Sequence, residues 1–117
     1  VAPVTNWRYY DNIYTERFMR TPQENPSGYD DNSPINFVEN LKGNYLLCHG
    51  SGDDNVHYHN AMDLIKALIS EGKQFDLMVY PNKNHSIYGQ YEQDGLDVRM
   101  HLFEKINNFL FENLLEK

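Results

Sequence analysis

The sequence predicts an α/β protein whose strands run parallel and are joined by a crossover helix. Three observations carry that expectation. Asn44–Cys48 and Phe75–Tyr80 are short apolar runs bounded by Gly, Pro and Asn. Between them, Ala61, Leu64, Ile65, Leu68 and Ile69 recur at helical spacing. A strand, a helix and a strand in that order imply a right-handed parallel unit.

The elements follow in chain order. Val1–Val4 reads as the end of a strand stopped by Pro3. Without an initiator Met, that opening leads us to expect a segment cut from inside a longer protein. Tyr9–Met19 predicts a helix with Tyr10, Ile13, Tyr14, Arg17 and Phe18 on one side. Arg20–Asn32, rich in Pro, Gly, Asn and Asp, predicts a loop. Ser33 is placed to cap a short helix that opens on Pro34 and runs to about Leu41. The apolar Asn44–Cys48 strand gives way to a Gly- and Asp-rich turn over His49–Asn55. The crossover helix spans Tyr58–Glu71, with Gly72 as its stop. Phe75–Tyr80 is the next strand. A last helix over Gly95–Leu115 takes Asp94 as its cap, with Asp97 near the positive end of the helix dipole. Its residues Leu96, Met100, Phe103, Ile106, Phe109, Leu110 and Leu114 form a wide stripe expected mostly to pack on the sheet. About three strands and few helices make the second half of a doubly wound domain, because a parallel sheet needs both faces covered.

Composition narrows function. A net charge of −7 argues against nucleic acid, whose phosphates call for a basic face. Cys48 stands alone in an apolar run and reads as a small core residue. No apolar stretch is long enough to span a bilayer as a helix.

Chemistry gathers at the carboxyl ends of parallel strands. Two loops occupy that position, His49–Asn55 and Pro81–Gly89. An Asp after one strand and a His after the next meet in space. The carboxylate then fixes the imidazole tautomer and stabilises the imidazolium formed during proton transfer. Asp53 precedes His85 by 32 residues, in the hydrolase order of nucleophile, acid, base. The nucleophile would lie upstream. Taken alone, Asp53 and Asp54 read as turn formers, Asp54 holding the loop by Asx-type hydrogen bonds, and His85 reads as a solvated loop residue. His49, His57 and His59 with Asp53 offer zinc-type ligands, but positions 57 and 59 do not converge in either a strand or a helix.

The residues themselves resemble a known family. Leu47-Cys48-His49-Gly50-Ser51-Gly52-Asp53-Asp54-Asn55-Val56-His57 is similar to the catalytic-Asp segment of the dipeptidyl peptidase IV group of prolyl oligopeptidase-family serine peptidases. Val1-Ala2-Pro3-Val4-Thr5-Asn6-Trp7, with Tyr9-Tyr10-Asp11 and Tyr14-Thr15-Glu16-Arg17, resembles its specificity segment. Asn84-His85 matches its catalytic-His loop. The three blocks stand in family order and cover nearly the whole chain.

The resemblance implies the C-terminal portion of an α/β-hydrolase domain over residues 1–117, with the upstream half and a β-propeller outside it. It implies Asp53 as the triad acid and His85 as the general base. Tyr10, Tyr14, Trp7, Val4 and Val56 would line a small apolar pocket for a proline ring, and Asn55 would hydrogen-bond the substrate backbone. It implies peptide substrates with Pro or Ala second and docking to the upstream half of its own domain. It further implies a homodimer in the full-length protein and a secreted, periplasmic or membrane-anchored setting. No metal, organic cofactor or nucleic acid enters that chemistry. Lacking the serine, the chain alone would be inactive. Ser86 stands where Gly is expected, and Cys48 where Val or Ile is commoner. Two rival readings keep the fold or leave the class: a prolyl oligopeptidase-type endopeptidase or acylaminoacyl peptidase, and a non-catalytic interaction domain.

Overall fold

The computed structural model describes residues 1–115. Two strands, β1 (Leu46–Gly50) and β2 (Asp76–Tyr80), pair in parallel with Leu46 opposite Asp76 and Gly50 opposite Tyr80. Helix α3 (His59–Ser70) makes the crossover between them. Three helices complete the described fold: α1 (Asn12–Met19) and α2 (Pro26–Asp30) before the sheet, and α4 (Val98–Leu110) after it.

Alternation along β1 separates two cores. Leu47 joins Ala61, Leu64 and Leu68 of α3, together with Val38. Cys48 faces the other way and joins Tyr80, Ile87 and the α4 residues Val98 and Leu102. One helix therefore covers each face, as a parallel sheet requires. Leu47 and Leu68, at 0% and 2% exposure, each contribute on the order of 2 kcal/mol by leaving water. Cys48 is a buried core residue, and desolvation pushes its thiol up from the usual range. Among the described residues, no helix is long and apolar enough to cross a membrane.

Several elements depart from expectation. Among the described residues there are two strands rather than three. Val1–Val4 is no strand: Ala2 turns to φ 46° and Pro3 has no N–H, so one bond from the Ala2 N–H to the Cys48 carbonyl is all that reaches β1. The first long helix starts at Asn12 rather than Tyr9. Asn6 caps a single 3₁₀ turn over Trp7–Tyr9, Tyr10 is extended, and Asp11 caps α1 by accepting from the Tyr14 N–H. Ile13, Tyr14 and Phe18 on its expected apolar side are exposed.

The expected loop after Arg20 contains α2, capped by Asn25 with Pro26 in its first turn. Ser33 does not cap the following segment. Its hydroxyl donates to the Tyr29 carbonyl and accepts from the Trp7 N–H instead. Pro34–Asn40 is accordingly a 3₁₀ helix, interrupted at Phe37. In α3 the apolar stripe is buried at Ala61, Leu64 and Leu68, half-buried at Ile65 and 63% exposed at Ile69, and Gly72 ends the helix at φ 69°, a conformation glycine adopts freely.

The last helix is capped by Asp97, which accepts from the Arg99 N–H at 2.8 Å, and not by Asp94. It closes in one wide π turn over Phe111–Leu115. Its covered stripe is Val98 and Leu102, with Ile106 packed alongside. Leu96, Met100, Phe103, Leu110 and Leu114, expected on the sheet, are exposed instead. The helix carries two apolar stripes, and the sheet is wide enough to take only one.

Candidate active site

The two loops at the carboxyl ends of β1 and β2 are laced together. The Ser51 N–H donates to the Tyr80 carbonyl and the Gly52 N–H to the Lys83 carbonyl, each at 3.0 Å. The Ser51 hydroxyl accepts from the Asn82 N–H at 2.7 Å, so Ser51 serves as a turn residue. Gly50 is required here by close approach, since a β-carbon on it would collide with the Lys83 backbone carbonyl.

This lacing sets Asp53 against His85. Asp53 is buried, at 4% exposure, and its Oδ2 lies 2.8 Å from His85 Nδ1. Its Oδ1 accepts from the Asn55 and Val56 N–H groups, both at 2.9 Å. The carboxylate is therefore oriented by its own turn, and one oxygen is left for imidazole. Loop-holding hydrogen bonds of this type, expected of Asp54, are made by Asp53; Asp54 is exposed.

Two left-handed residues bracket the histidine. Asn82 has φ 57°, which asparagine tolerates, and Ile87 has φ 46°, which a β-branched residue seldom adopts. Ile87 is 1% exposed, its side chain seated in the Cys48–Tyr80–Val98–Leu102 core. That burial offsets the strain and pins the loop. Arg99 of α4 holds the Ser86 carbonyl at 2.8 Å. The side chain of His85 is 43% exposed, so an imidazole edge remains open to a reacting group.

The N-terminal aromatic segment is tied to the same end of the molecule by Asn60. Fully buried at the start of α3, its Oδ1 accepts from the Thr5 and Asn6 N–H groups, while its Nδ2 donates to the His57 carbonyl. Thr5 Oγ1 donates in turn to the Asn60 carbonyl at 2.7 Å. Tyr10 then reaches across to donate to Asn55 Oδ1 at 2.8 Å.

Tyr10, Tyr14 and Asn55 line one cavity, shared with Asp11, Asp54 and His57. Edge-on ring contacts run from Trp7 to Tyr10 to Tyr14. Trp7 and Val4 are half-buried outside this lining, and Val56 is buried at 4% exposure. The cavity is thus walled by hydroxyls, carboxylates and an amide as well as by aromatic rings, more polar than a proline pocket is expected to be. His59 pairs with Asp63 on the surface, away from Asp53. Among the described residues, no three His, Cys, Asp or Glu side chains are grouped to hold a metal.

Sequence reasoning missed Asn60 and Thr5, which carry no motif, and weighed His49 only as a metal ligand. Its one available signal was position: a histidine at the end of a strand, four residues before the acid.

Comparison with known proteins gives the family and the fold. The family model described as prolyl oligopeptidase family matches residues 1–115. The chain is 55% identical over 91 residues to a protein of Colletotrichum graminicola named "Probable dipeptidyl-aminopeptidase B", covering 75% of this chain and 10% of that protein. It is 46% identical over 113 residues to the protein of the same name from Sclerotinia sclerotiorum, covering 94% and 12%. The crystal structure of Porphyromonas gingivalis dipeptidyl peptidase 4 superposes with a TM-score of 0.89 at 49% identity, over 97% of this chain and 15% of that one. The chain spans about a tenth of the length of the curated relatives it matches. Its parallel strands and covering helices are part of an α/β-hydrolase fold.

Proposed function

This chain belongs to the prolyl oligopeptidase family, and from that membership we propose that it supplies the acid and the base of a serine peptidase centre. The single observation that carries the reading is the 2.8 Å contact between Asp53 Oδ2 and His85 Nδ1 at the carboxyl ends of adjacent parallel strands. The whole protein would be a dipeptidyl aminopeptidase that releases N-terminal dipeptides with Pro or Ala in second place. The dipeptidyl names of its relatives favour that reading over an endopeptidase, an acylaminoacyl peptidase or a non-catalytic module.

In this mechanism His85 donates Nδ1–H to Asp53 and keeps the Nε2 lone pair for the serine of the remaining hydrolase domain. As the serine oxygen attacks the scissile carbonyl, its proton passes to Nε2. Collapse of the tetrahedral intermediate breaks the C–N bond, and the same proton goes to the leaving amine. Water then repeats the sequence on the acyl-enzyme. Asp53 stays ionised throughout and stabilises the imidazolium. Tyr10 and Tyr14 offer ring faces to the second residue of the substrate, Trp7, Val4 and Val56 back that wall, and Asn55 bonds the substrate backbone. Two copies of the whole protein would meet through the exposed stripe of α4, at Met100, Phe103 and Leu110, with Leu96 just before it.

The test uses the whole protein with Gly-Pro and Ala-Pro chromogenic substrates. We expect turnover that serine-directed inhibitors stop and that His85→Ala abolishes, and none from residues 1–117 alone. Full activity in the His85→Ala protein would overturn the assignment. Cleavage confined to internal prolyl bonds would move it to the endopeptidase.

A further inference from the structure

A second imidazole stands behind Asp53. His49, near the end of β1, is 0% exposed. Its Nε2 lies 2.8 Å from the Val56 carbonyl oxygen and 3.3 Å from Asp53 Oδ2. Both neighbours are acceptors, so Nε2 carries a hydrogen. Nδ1 is buried without a partner. A second hydrogen there would be a buried donor with nothing to receive it, so the ring holds its one hydrogen on Nε2. The edge of one ring meets the face of the other where Tyr58 packs against His49, with centroids 5.6 Å apart.

Four N–H groups consequently lie about Asp53. The Asn55 and Val56 N–H groups bond Oδ1 and His85 bonds Oδ2, while the His49 N–H, directed at the Val56 carbonyl, brings its nitrogen within 3.3 Å of Oδ2. We propose that His49 is a positioning residue for the Asp53–His85 pair, an inference that rests on reading that pair as the catalytic acid and base. Anchored on the Val56 carbonyl with its polarised N–H beside Oδ2, His49 holds the carboxylate in place, so that Oδ2 faces His85 Nδ1. It also withdraws electron density from the oxygen that supports the imidazolium. The titratable groups against His49 are Asp53 and Tyr58; those against Asp53 are His49 and His85.

The experiment compares His49→Leu, His49→Gln and Asp53→Asn in the whole protein, reading kcat and KM across pH. His49→Leu removes the donor. We expect kcat to fall roughly ten- to a hundredfold, the range of a small misplacement, with KM nearly unchanged. Without the polarised N–H beside Oδ2, the carboxylate holds the imidazolium more tightly, so the acid limb of kcat/KM moves to higher pH. His49→Gln carries an amide N–H to nearly the same place and restores most of kcat and the original limb. Neutron diffraction from crystals of the unaltered whole protein reads the hydrogen on Nε2 directly, and so tests the inference even if His49→Leu does not fold.

A hydrogen on Nδ1 instead of Nε2 overturns the inference. So does an unshifted acid limb in His49→Leu with no rescue by His49→Gln, which would mark a packing role only. Loss of activity in Asp53→Asn alongside wild-type behaviour of both His49 variants sinks the inference but leaves the catalytic pair standing. Wild-type activity in Asp53→Asn sinks the catalytic reading itself.

Discussion

Asp53 Oδ2 and His85 Nδ1 stand 2.8 Å apart although 32 residues of chain separate them. The carboxylate can receive the imidazole N–H because its other oxygen is already held by two backbone amides. In Asp53→Asn the side-chain amide, placed at Oδ2, would present hydrogens toward two ring nitrogens and favour the wrong tautomer of His85. We expect kcat of the whole protein to drop by about 10⁴ with little change in KM. Asp54→Asn, at an exposed side chain, should cost far less. Steady-state kinetics of the two variants decide between them, and a reversed order would make Asp54 the acid.

Asn60 joins the aromatic segment to α3 through two side-chain hydrogen bonds, from the Thr5 and Asn6 N–H groups, and holds the His57 carbonyl with a third. Asn60→Ala leaves the Thr5 and Asn6 N–H groups and the His57 carbonyl without their partner. We expect a loss of about 2 to 3 kcal/mol in urea unfolding, and about 1 kcal/mol for Thr5→Val. In the whole protein Asn60→Ala should also raise KM, since Tyr10 and Tyr14 shift with the segment. A neutral Asn60→Ala would show that other contacts hold it.

Tyr80 is 4% exposed, and its hydroxyl lies 2.9 Å from His101 Nδ1. Burial pushes this phenol from 10 up to about 12. The folded state therefore binds its proton more tightly than the unfolded state. The contribution to stability is complete below pH 10 and is lost as pH rises from 10 toward 12. We expect phenolate absorbance from this residue only near pH 12, and a flatter alkaline stability profile in Tyr80→Phe. Ionisation of Tyr80 near pH 10 would contradict the burial described above.

The outer stripe of α4 leaves Met100, Phe103 and Leu110 in solvent, with Leu96 exposed before the helix and Phe111, Leu114 and Leu115 beyond it. Apolar surface on that scale marks a place for a partner or for aggregation. We expect isolated 1–117 to self-associate or to melt at low temperature, and Met100→Lys with Phe103→Glu to shift it toward monomer. Sedimentation equilibrium with thermal unfolding checks this. A monomer that melts cooperatively at high temperature would show that two strands and their helices already close a sufficient core.

Much of this molecule was legible because it rests on local periodicity. The parallel pair, the crossover helix and its glycine stop follow from residues 44–80 alone; Asp53 and His85 were suggested by their places after two strands and singled out by the resemblance. What was not legible depended on competition between groups distant in sequence. Ser33 looks like a cap until Trp7 and Tyr29 claim its hydroxyl. The stripe on α4 looks like core until Val98 and Leu102 take the available sheet surface. Asp54 looks like the loop-holding partner until the turn closes on Asp53. The pocket residues were assigned from resemblance, and periodicity said nothing of the carboxylates that share the cavity.

The lacing between the β1 and β2 loops has a consequence for modularity. The proposed acid and base are held by bonds that begin and end inside this chain: Ser51 to Tyr80, Gly52 to Lys83, Asn82 to Ser51, with Arg99 of α4 on the Ser86 carbonyl. Their mutual geometry is thus set without a contact from a docked nucleophile. A hydrolase assembled from two separate polypeptides would have to find only one alignment, that of its serine against a proton relay already set.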